Sequence, residues 1–203
     1  MARVSVPEFW QDLYVHAGDG WELSQPAPPL VHFLGTTPPP RGRVAVPGCG
    51  RGHDVRFLAS RGYDAVGFDF AEAAVVEARR LAAAEGTSAR FEQRDIFTLG
   101  RDHAGAFDGV WEYTCFCAID PGRRAEYMRT VHAILRPGGW LLACFYPIRT
   151  GKAGPPFPVR RAEVRQLLGH GFRIERALAP GASIPRRLGQ EWMVLARRTL
   201  NPA

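Results

Sequence analysis

Short apolar runs alternate with amphipathic stretches across the middle of the chain, and that alternation predicts its organisation. Residues 44–46, 63–69, 90–95, 107–112 and 140–146 read as strands one to five. The fifth is a nearly continuous apolar run, of the kind buried on both faces of a sheet. Between them, a helix entered at Arg51 runs to Ser60 and stops near Gly62. A long alanine-rich helix covers 71–85 and ends at Gly86, and a one-faced helix covers 121–135, followed by a turn at 137–139. This repetition with short connections predicts a parallel, doubly wound α/β sheet. The tail differs: a Gly/Pro-rich loop at 151–158, a helix at 159–168, then strands at 172–178 and 191–197. Two strands joined by a loop predict an antiparallel pair at the sheet edge, which brings the sheet to seven strands.

Ahead of the repeat, Phe9, Leu13 and Tyr14, with Trp10 beside them, give 7–15 an amphipathic helical pattern. A loop at 16–20 leads to Trp21, after which Pro26, Pro28 and Pro29 stiffen the chain. This stretch reads either as a lid or as a linker whose Trp21 plugs the edge of the core. A short helix begins at 30–34 and is ended by Pro38, Pro39 and Pro40. The expected division is one domain over 1–203, with 1–40 as a cap and 41–203 as a Rossmann-like core.

Composition changes this picture little. A chain of 203 residues that is 46% hydrophobic and 23% charged suits one soluble globular domain. No apolar run approaches the roughly 20 residues that span a bilayer, and the first eight residues lack the layout of a secretory leader. Four cysteines in this length make no disulfide framework, so a cytoplasmic location is expected. The formal charge of +6 raises the question of nucleic acid, but the arginines are scattered singly or in pairs, as at Arg79-Arg80 and Arg186-Arg187. No basic run interleaved with aromatics is present, so a small-molecule substrate is expected in place of nucleic acid or membrane.

The candidate chemistry centres on V-A-V-P-G-C-G-R-G-H-D, residues 44–54. A strand meets a turn carrying Gly48, Gly50 and Gly52 and passes into a helix, the form of a nucleotide cradle. Asp69 closes the next strand, where a carboxylate can take the two ribose hydroxyls of an adenosine. Alone, this pattern serves dinucleotides and S-adenosylmethionine equally. Asp95 ends strand three, placed to accept from an adenine amino group, with Ile96 to pack on the ring. Cys115 and Cys117 have C-x-C metal spacing, but no cluster completes a site, which favours buried thiols.

Further motifs narrow the choice: W-E-L-S-Q-P-A-P-P-L (21–30), G-F-D-F (67–70), R-D-I-F (94–97), E-Y-T-C-F-C-A-I-D-P (112–121), C-F-Y-P-I (144–148) and G-K-A-G-P-P-F-P-V (151–159). With V-P-G-C-G at 46–50, this set resembles the S-adenosylmethionine-dependent methyltransferases, and among them the thiopurine S-methyltransferase family with its thiol and halide methyltransferase branch. The resemblance runs from about Trp10 to Arg198, and implies a class I methyltransferase sandwich, a small-molecule acceptor and a monomer. It places Gly48, Cys49 and Gly50 at the methionine end of S-adenosylmethionine, Asp69 and Phe70 at its ribose, and Asp95, Ile96 and Phe97 at its adenine. It puts Glu112 and Tyr113 at the sulfonium, Trp21 over it, and Tyr113 and Tyr146 near the acceptor, where they either contact it or only close the core. The chain departs from the pattern at Glu22 and Ser24 in the W-D-x-G lid, at Ala71 where serine is common, and at Glu112 where the halide branch often has Asp.

The implied activity is in-line transfer of a methyl group to a thiol, thiopurine, hydrosulfide, thiocyanate or iodide. Such a reaction needs positioned reactants more than a base, and no His-carboxylate dyad is evident near the motifs. An amine or hydroxyl acceptor would need one, with His16 or His53 the candidates. The remaining alternative is a cofactor-binding module without activity.

Overall fold

In the computed structural model, residues 3–16, 18–151 and 153–200 are described. Lys152 of the 151–159 motif and Ala17 of the 16–20 loop lie outside them, as do both ends of the expected 1–203 domain. In chain order the elements are α1 (Pro7–Val15), α2 (Pro28–Thr36), β1 (Arg43–Pro47), α3 (His53–Ser60), β2 (Asp64–Asp69), α4 (Glu72–Glu85) and β3 (Arg90–Gln93). There follow α5 (Leu99–Asp102), β4 (Phe107–Tyr113), α6 (Arg124–Ile134), β5 (Leu135–Phe145), α7 (Arg161–Leu168), β6 (Phe172–Leu178) and β7 (Trp192–Arg198).

The strands form one seven-stranded sheet in the order β3-β2-β1-β4-β5-β7-β6. The first five are mutually parallel, while β7 runs antiparallel to both β5 and β6. The doubly wound sheet is as expected, and the antiparallel pair stands at its edge with β7 as the inner member. Strand periodicity separates two apolar layers. Val44, Val46, Trp111 and Leu142 pack with α2, α3 and α4 on one face, and Ala45, Val110, Leu141 and Ala143 pack with α5, α6 and α7 on the other. Because the chain changes face between β1 and β4, a crevice opens above the carboxyl ends of these strands. A third cluster, built on Trp10 of α1 with Ala71 and Ala74, lies beside that crevice.

Several boundaries move for physical reasons. The helix expected over 121–135 starts with a short 3-10 turn, Pro121–Arg123, where Asp120 accepts from Gly122 N–H at 2.9 Å, and α6 proper begins at Arg124. The expected turn at 137–139 lies within β5: Phe107 pairs with Leu135 and Gly109 with Trp140, so the residues between loop out as a bulge. A side chain at Gly109 would overlap the Trp140 ring, which fixes glycine there. Helix α2 starts at Pro28, since proline suits a first turn that has no partner for its N–H. No helix among the described residues is long and apolar enough to cross a membrane.

Candidate active site

A cavity of about 580 Å³ occupies the crevice, within the range of small-molecule sites. Its lining follows the strand order. Over β3, β2 and β1 stand Asp95, Ile96, Phe97, Asp69, Phe70, Gly48, Cys49 and Gly50; over β4, β5 and the approach to β7 stand Tyr113, Tyr146 and Arg187. Trp10, Tyr14 and Trp21 close it from the amino-terminal segment. Of the residues that the resemblance places at the cofactor or the acceptor, all but Glu112 line this cavity; Gly52 and His16 also lie outside the lining.

The glycine turn is built by backbone geometry. Gly48, Gly50 and Gly52 have φ of 60°, 52° and 74°, values that side chains tolerate poorly. A Cβ on Gly48 would stand 2.8 Å from Cys115 Sγ, and one on Gly50 would stand 2.9 Å from the Tyr14 hydroxyl. Asp69, 6% exposed, fastens the turn: Oδ2 accepts from Gly50 N–H and Oδ1 from Ala71 N–H, each at 3.0 Å. Burial pushes its pKa up, and these backbone donors oppose the shift. Two N–H bonds leave lone pairs on both oxygens for further donors. Asp95 uses Oδ1 to accept from Phe97 N–H at 2.9 Å, which holds Ile96 and Phe97 in a 3-10 turn. The Arg123 guanidinium covers the Phe97 ring, 3.3 Å from its centroid.

Glu112 requires a correction. Expected at the sulfonium, it is 2% exposed and lies behind the wall, outside the cavity lining. Its Oε1 accepts from Phe116 N–H at 2.8 Å, and its Oε2 accepts from the Tyr127 hydroxyl. Burial raises its pKa to about 7 against the pull of those donors. The carboxylate organises the loop after β4, where Thr114, a β-branched residue, is held at φ 65°. Such a conformation costs about 1–3 kcal/mol and persists only where surrounding bonds enforce it. Glu112 points into the layer of α6 because the alternation along β4 sends Tyr113 to the opposite face.

The amino-terminal segment is fastened over the cavity by aromatic and polar contacts. Trp21 meets Trp10 and Tyr14 edge to face, at 5.4 and 5.6 Å between centroids. Its carbonyl accepts from Arg187 Nη2 at 3.0 Å. Asp19 pairs with Arg51, and Glu22 Oε1 lies 2.9 Å from His53 Nε2. Asp54 ties the end of this segment to the core, accepting from Ala27 N–H and Trp111 Nε1–H at 2.7 Å each. The His-carboxylate pair missing from the sequence pattern thus exists in space. It is a poor base: Arg56 Nη2 sits 2.9 Å from His53 Nδ1 and can only donate, so both ring nitrogens are engaged. Burial would raise the pKa of Glu22, but His53, Ser24 N–H and Arg51 outweigh it and hold it at about 2.

At the far end, Tyr113 and Tyr146 flank a cation that sequence reading passed over as one of several arginine pairs. The Arg187 guanidinium carbon lies 5.0 Å from the Tyr113 centroid and 4.9 Å from that of Tyr146. Arg187 is 3% exposed, and its Nη1 has no hydrogen-bond partner. Cys115 and Cys117 are buried free thiols, and burial with Glu112 nearby pushes Cys117 up to about 12. No group of three or more metal-ligating side chains occurs among the described residues.

The parallel sheet with an antiparallel terminal pair, and a cavity at its switch point under a glycine turn, define the class I methyltransferase fold. Comparison with solved structures agrees. Burkholderia thailandensis 1,6-didemethyltoxoflavin-N1-methyltransferase, solved with its substrate and S-adenosylhomocysteine, superposes with a TM-score of 0.75 at 22% identity, over 95% of this chain and 87% of that one. The model of the thiopurine S-methyltransferase family matches residues 5–194. Thiocyanate methyltransferase 1 of Arabidopsis thaliana is 31% identical over 90% of this chain and 81% of its own. The thiopurine S-methyltransferase of Pseudomonas paraeruginosa is 31% identical over 94% and 92%. The chain belongs to the thiopurine S-methyltransferase family, and is an S-adenosylmethionine-dependent methyltransferase.

Proposed function

We propose that the chain methylates a soft sulfur or halide nucleophile: a thiol, thiopurine, hydrosulfide, thiocyanate or iodide. The observation that carries this reading is Arg187, a buried cation at the cavity wall with a free Nη1 between two tyrosine rings. A buried donor without a partner costs about 1–3 kcal/mol, and an anionic acceptor relieves that cost. An amine would meet a like charge there and find no free base in His53.

The residues present fit the methyl donor. Gly48 and Gly50 keep the turn clear of side chains, Asp69 retains lone pairs for hydroxyls, and Phe70, Ile96 and Phe97 offer apolar faces to a base. Asp95 stands at the adenine end, and Cys49 lines the turn. S-adenosylmethionine supplies an activated methyl group with its own thioether leaving group. The chain holds the acceptor in line, excludes water with Trp10, Tyr14 and Trp21, and sets the electrostatics. Burial, then Asp69, pushes Tyr14 well above its ordinary range, so its hydroxyl stays protonated beside Gly50.

In this reading 1–203 act as one domain with 1–40 as its cap, a cytoplasmic monomer using a small-molecule acceptor and no nucleic acid. The test is an acceptor panel with labelled cofactor, read by headspace analysis for the volatile products. Methylation of thiocyanate, iodide or thiols is expected. Activity confined to amines or hydroxyls overturns the reading, and a lack of S-adenosylmethionine binding by calorimetry removes its foundation.

A further inference from the structure

Glu191, just before β7, is a buried acid with no part in the site so far. It is 3% exposed; its Oε1 accepts from the Tyr113 hydroxyl at 2.6 Å, and its Oε2 has no hydrogen-bond partner. Buried carboxylate oxygens without partners are rare and call for an explanation. The Arg187 cation lies against the ring of the same tyrosine, so Tyr113 stands between a buried base and a buried cation. Cys144 on β5 and Tyr146 are the other titratable groups facing this pair. Burial raises Cys144 well above its ordinary value, and Glu191 raises it further, so it stays a thiol. Burial likewise raises Tyr113; Arg187 opposes the shift and Glu191 adds to it, so the hydroxyl keeps its proton and donates it to Glu191.

We propose that Tyr113 and Glu191 form a proton relay that deprotonates neutral thiols, so that thiols as well as ready-made anions serve as acceptors; this rests on the soft-nucleophile reading above. The S–H bond of the acceptor breaks, and its electron pair stays on sulfur as the attacking thiolate. The proton passes to the Tyr113 oxygen while the Tyr113 proton passes to Glu191 Oε1, leaving a neutral carboxylic acid. Arg187 stabilises the thiolate as it forms. After the methylated product departs, Glu191 releases its proton through the same hydroxyl to water that enters the emptied cavity. Thiocyanate and iodide carry no proton, so the relay is idle for them.

The test compares the full chain with Glu191→Gln, loaded with S-adenosylmethionine, on 2-mercaptoethanol and on thiocyanate. An ordinary thiol has a pKa of about 8.5. Without the relay, kcat/KM for the thiol falls about 100-fold at about pH 6 and recovers as the thiol ionises unaided. Thiocyanate turnover stays within about threefold across that range, as expected for a group that acts only on a proton. Tyr113→Phe gives the same thiol pH profile, and decides the matter should Glu191→Gln fail to fold by circular dichroism. A readout independent of turnover is the ultraviolet thiolate band of 2-mercaptoethanol bound with S-adenosylhomocysteine: present near neutral pH in the parent, absent in both variants. Equal losses on both acceptors, or an unchanged thiol pH profile, overturn the relay. A parent protein that methylates neither probe overturns the underlying reading instead, a result distinct from any split between the two acceptors.

Discussion

Over β1, β2 and β3 the cavity is walled largely by backbone: a glycine turn, a carboxylate that bonds two main-chain N–H groups, and a short 3-10 turn. Over β4, β5 and β7 it is walled by side chains brought from distant positions, Tyr113, Tyr146 and Arg187, with the lid carbonyl of Trp21 joined to them. In the proposed reading the first half suits a ligand of fixed shape, the methyl donor, and the second sets charge and polarity for the acceptor. A change of one side chain there is expected to alter the acceptor without disturbing the donor. The division follows from the sheet: its switch point separates the two halves, and each inherits the elements on its own side.

The largest test of this contrast is Gly48→Ala. A positive φ costs a side chain about 1–3 kcal/mol, and contact with Cys115 Sγ adds overpacking of about 1–3 kcal/mol. Thermal unfolding and calorimetry should show lost stability and loss of S-adenosylmethionine affinity; full retention of both would show that the turn is not the donor cradle.

Glu112 supports the loop that joins the halves, and its effect depends on pH. With a folded pKa raised to about 7, the folded chain binds more protons than the unfolded one between the unfolded carboxyl value and about 7. Its contribution is therefore greatest at low pH and is lost as pH rises through about 7, a span on the order of 3 kcal/mol. Denaturant titrations of the parent should show this decline, and Glu112→Gln should remove it. An identical slope in both proteins would place the titration elsewhere.

Arg187→Met tests the acceptor half. It should lower kcat/KM for thiocyanate by about 1.5–3 kcal/mol, the value of a charge-assisted hydrogen bond, while cofactor affinity stays near that of the parent. Equal loss of donor binding would dissolve the distinction between the halves. The smallest effect belongs to the lid. His53→Ala removes one partly exposed hydrogen bond to Glu22, worth about 1 kcal/mol, and should raise the cofactor Kd by less than about tenfold. Glu22, held at about 2, contributes fully above the unfolded carboxyl value and loses its contribution only as pH falls toward 2. Hydrogen exchange of the lid should therefore not vary through Glu22 between about pH 5 and 8; a change there would implicate another group.

The wall over β1, β2 and β3 was legible in the sequence because its parts are local. Gly48, Gly50, Asp69 and Phe97 sit at strand ends whose order the apolar periodicity reveals, and a turn that requires positive φ can be read from its glycines. The misplacement of Glu112 has a simple cause: neighbouring residues on a strand point to opposite faces, so a motif that contains both Glu112 and Tyr113 does not say which one meets the ligand. The amino-terminal segment was half legible. Its prolines and Trp21 marked a stiff aromatic segment, but its latch joins Asp19 and Glu22 to Arg51 and His53, contacts that no periodicity records.

By itself, then, the sequence determined the doubly wound sheet, the glycine cradle and the family, since period-two and helical apolar patterns, special backbone angles and short motifs are local properties. Only the tertiary structure decided that Arg187 and Glu191 stand on two sides of Tyr113, that Asp54 anchors the lid, and that Glu112 lies behind the wall. These depend on which strands become neighbours: β7 inserts beside β5 and carries residues 187–191 to the ends of β4 and β5. Burial then gives a scattered arginine and an ordinary glutamate charges that water no longer screens.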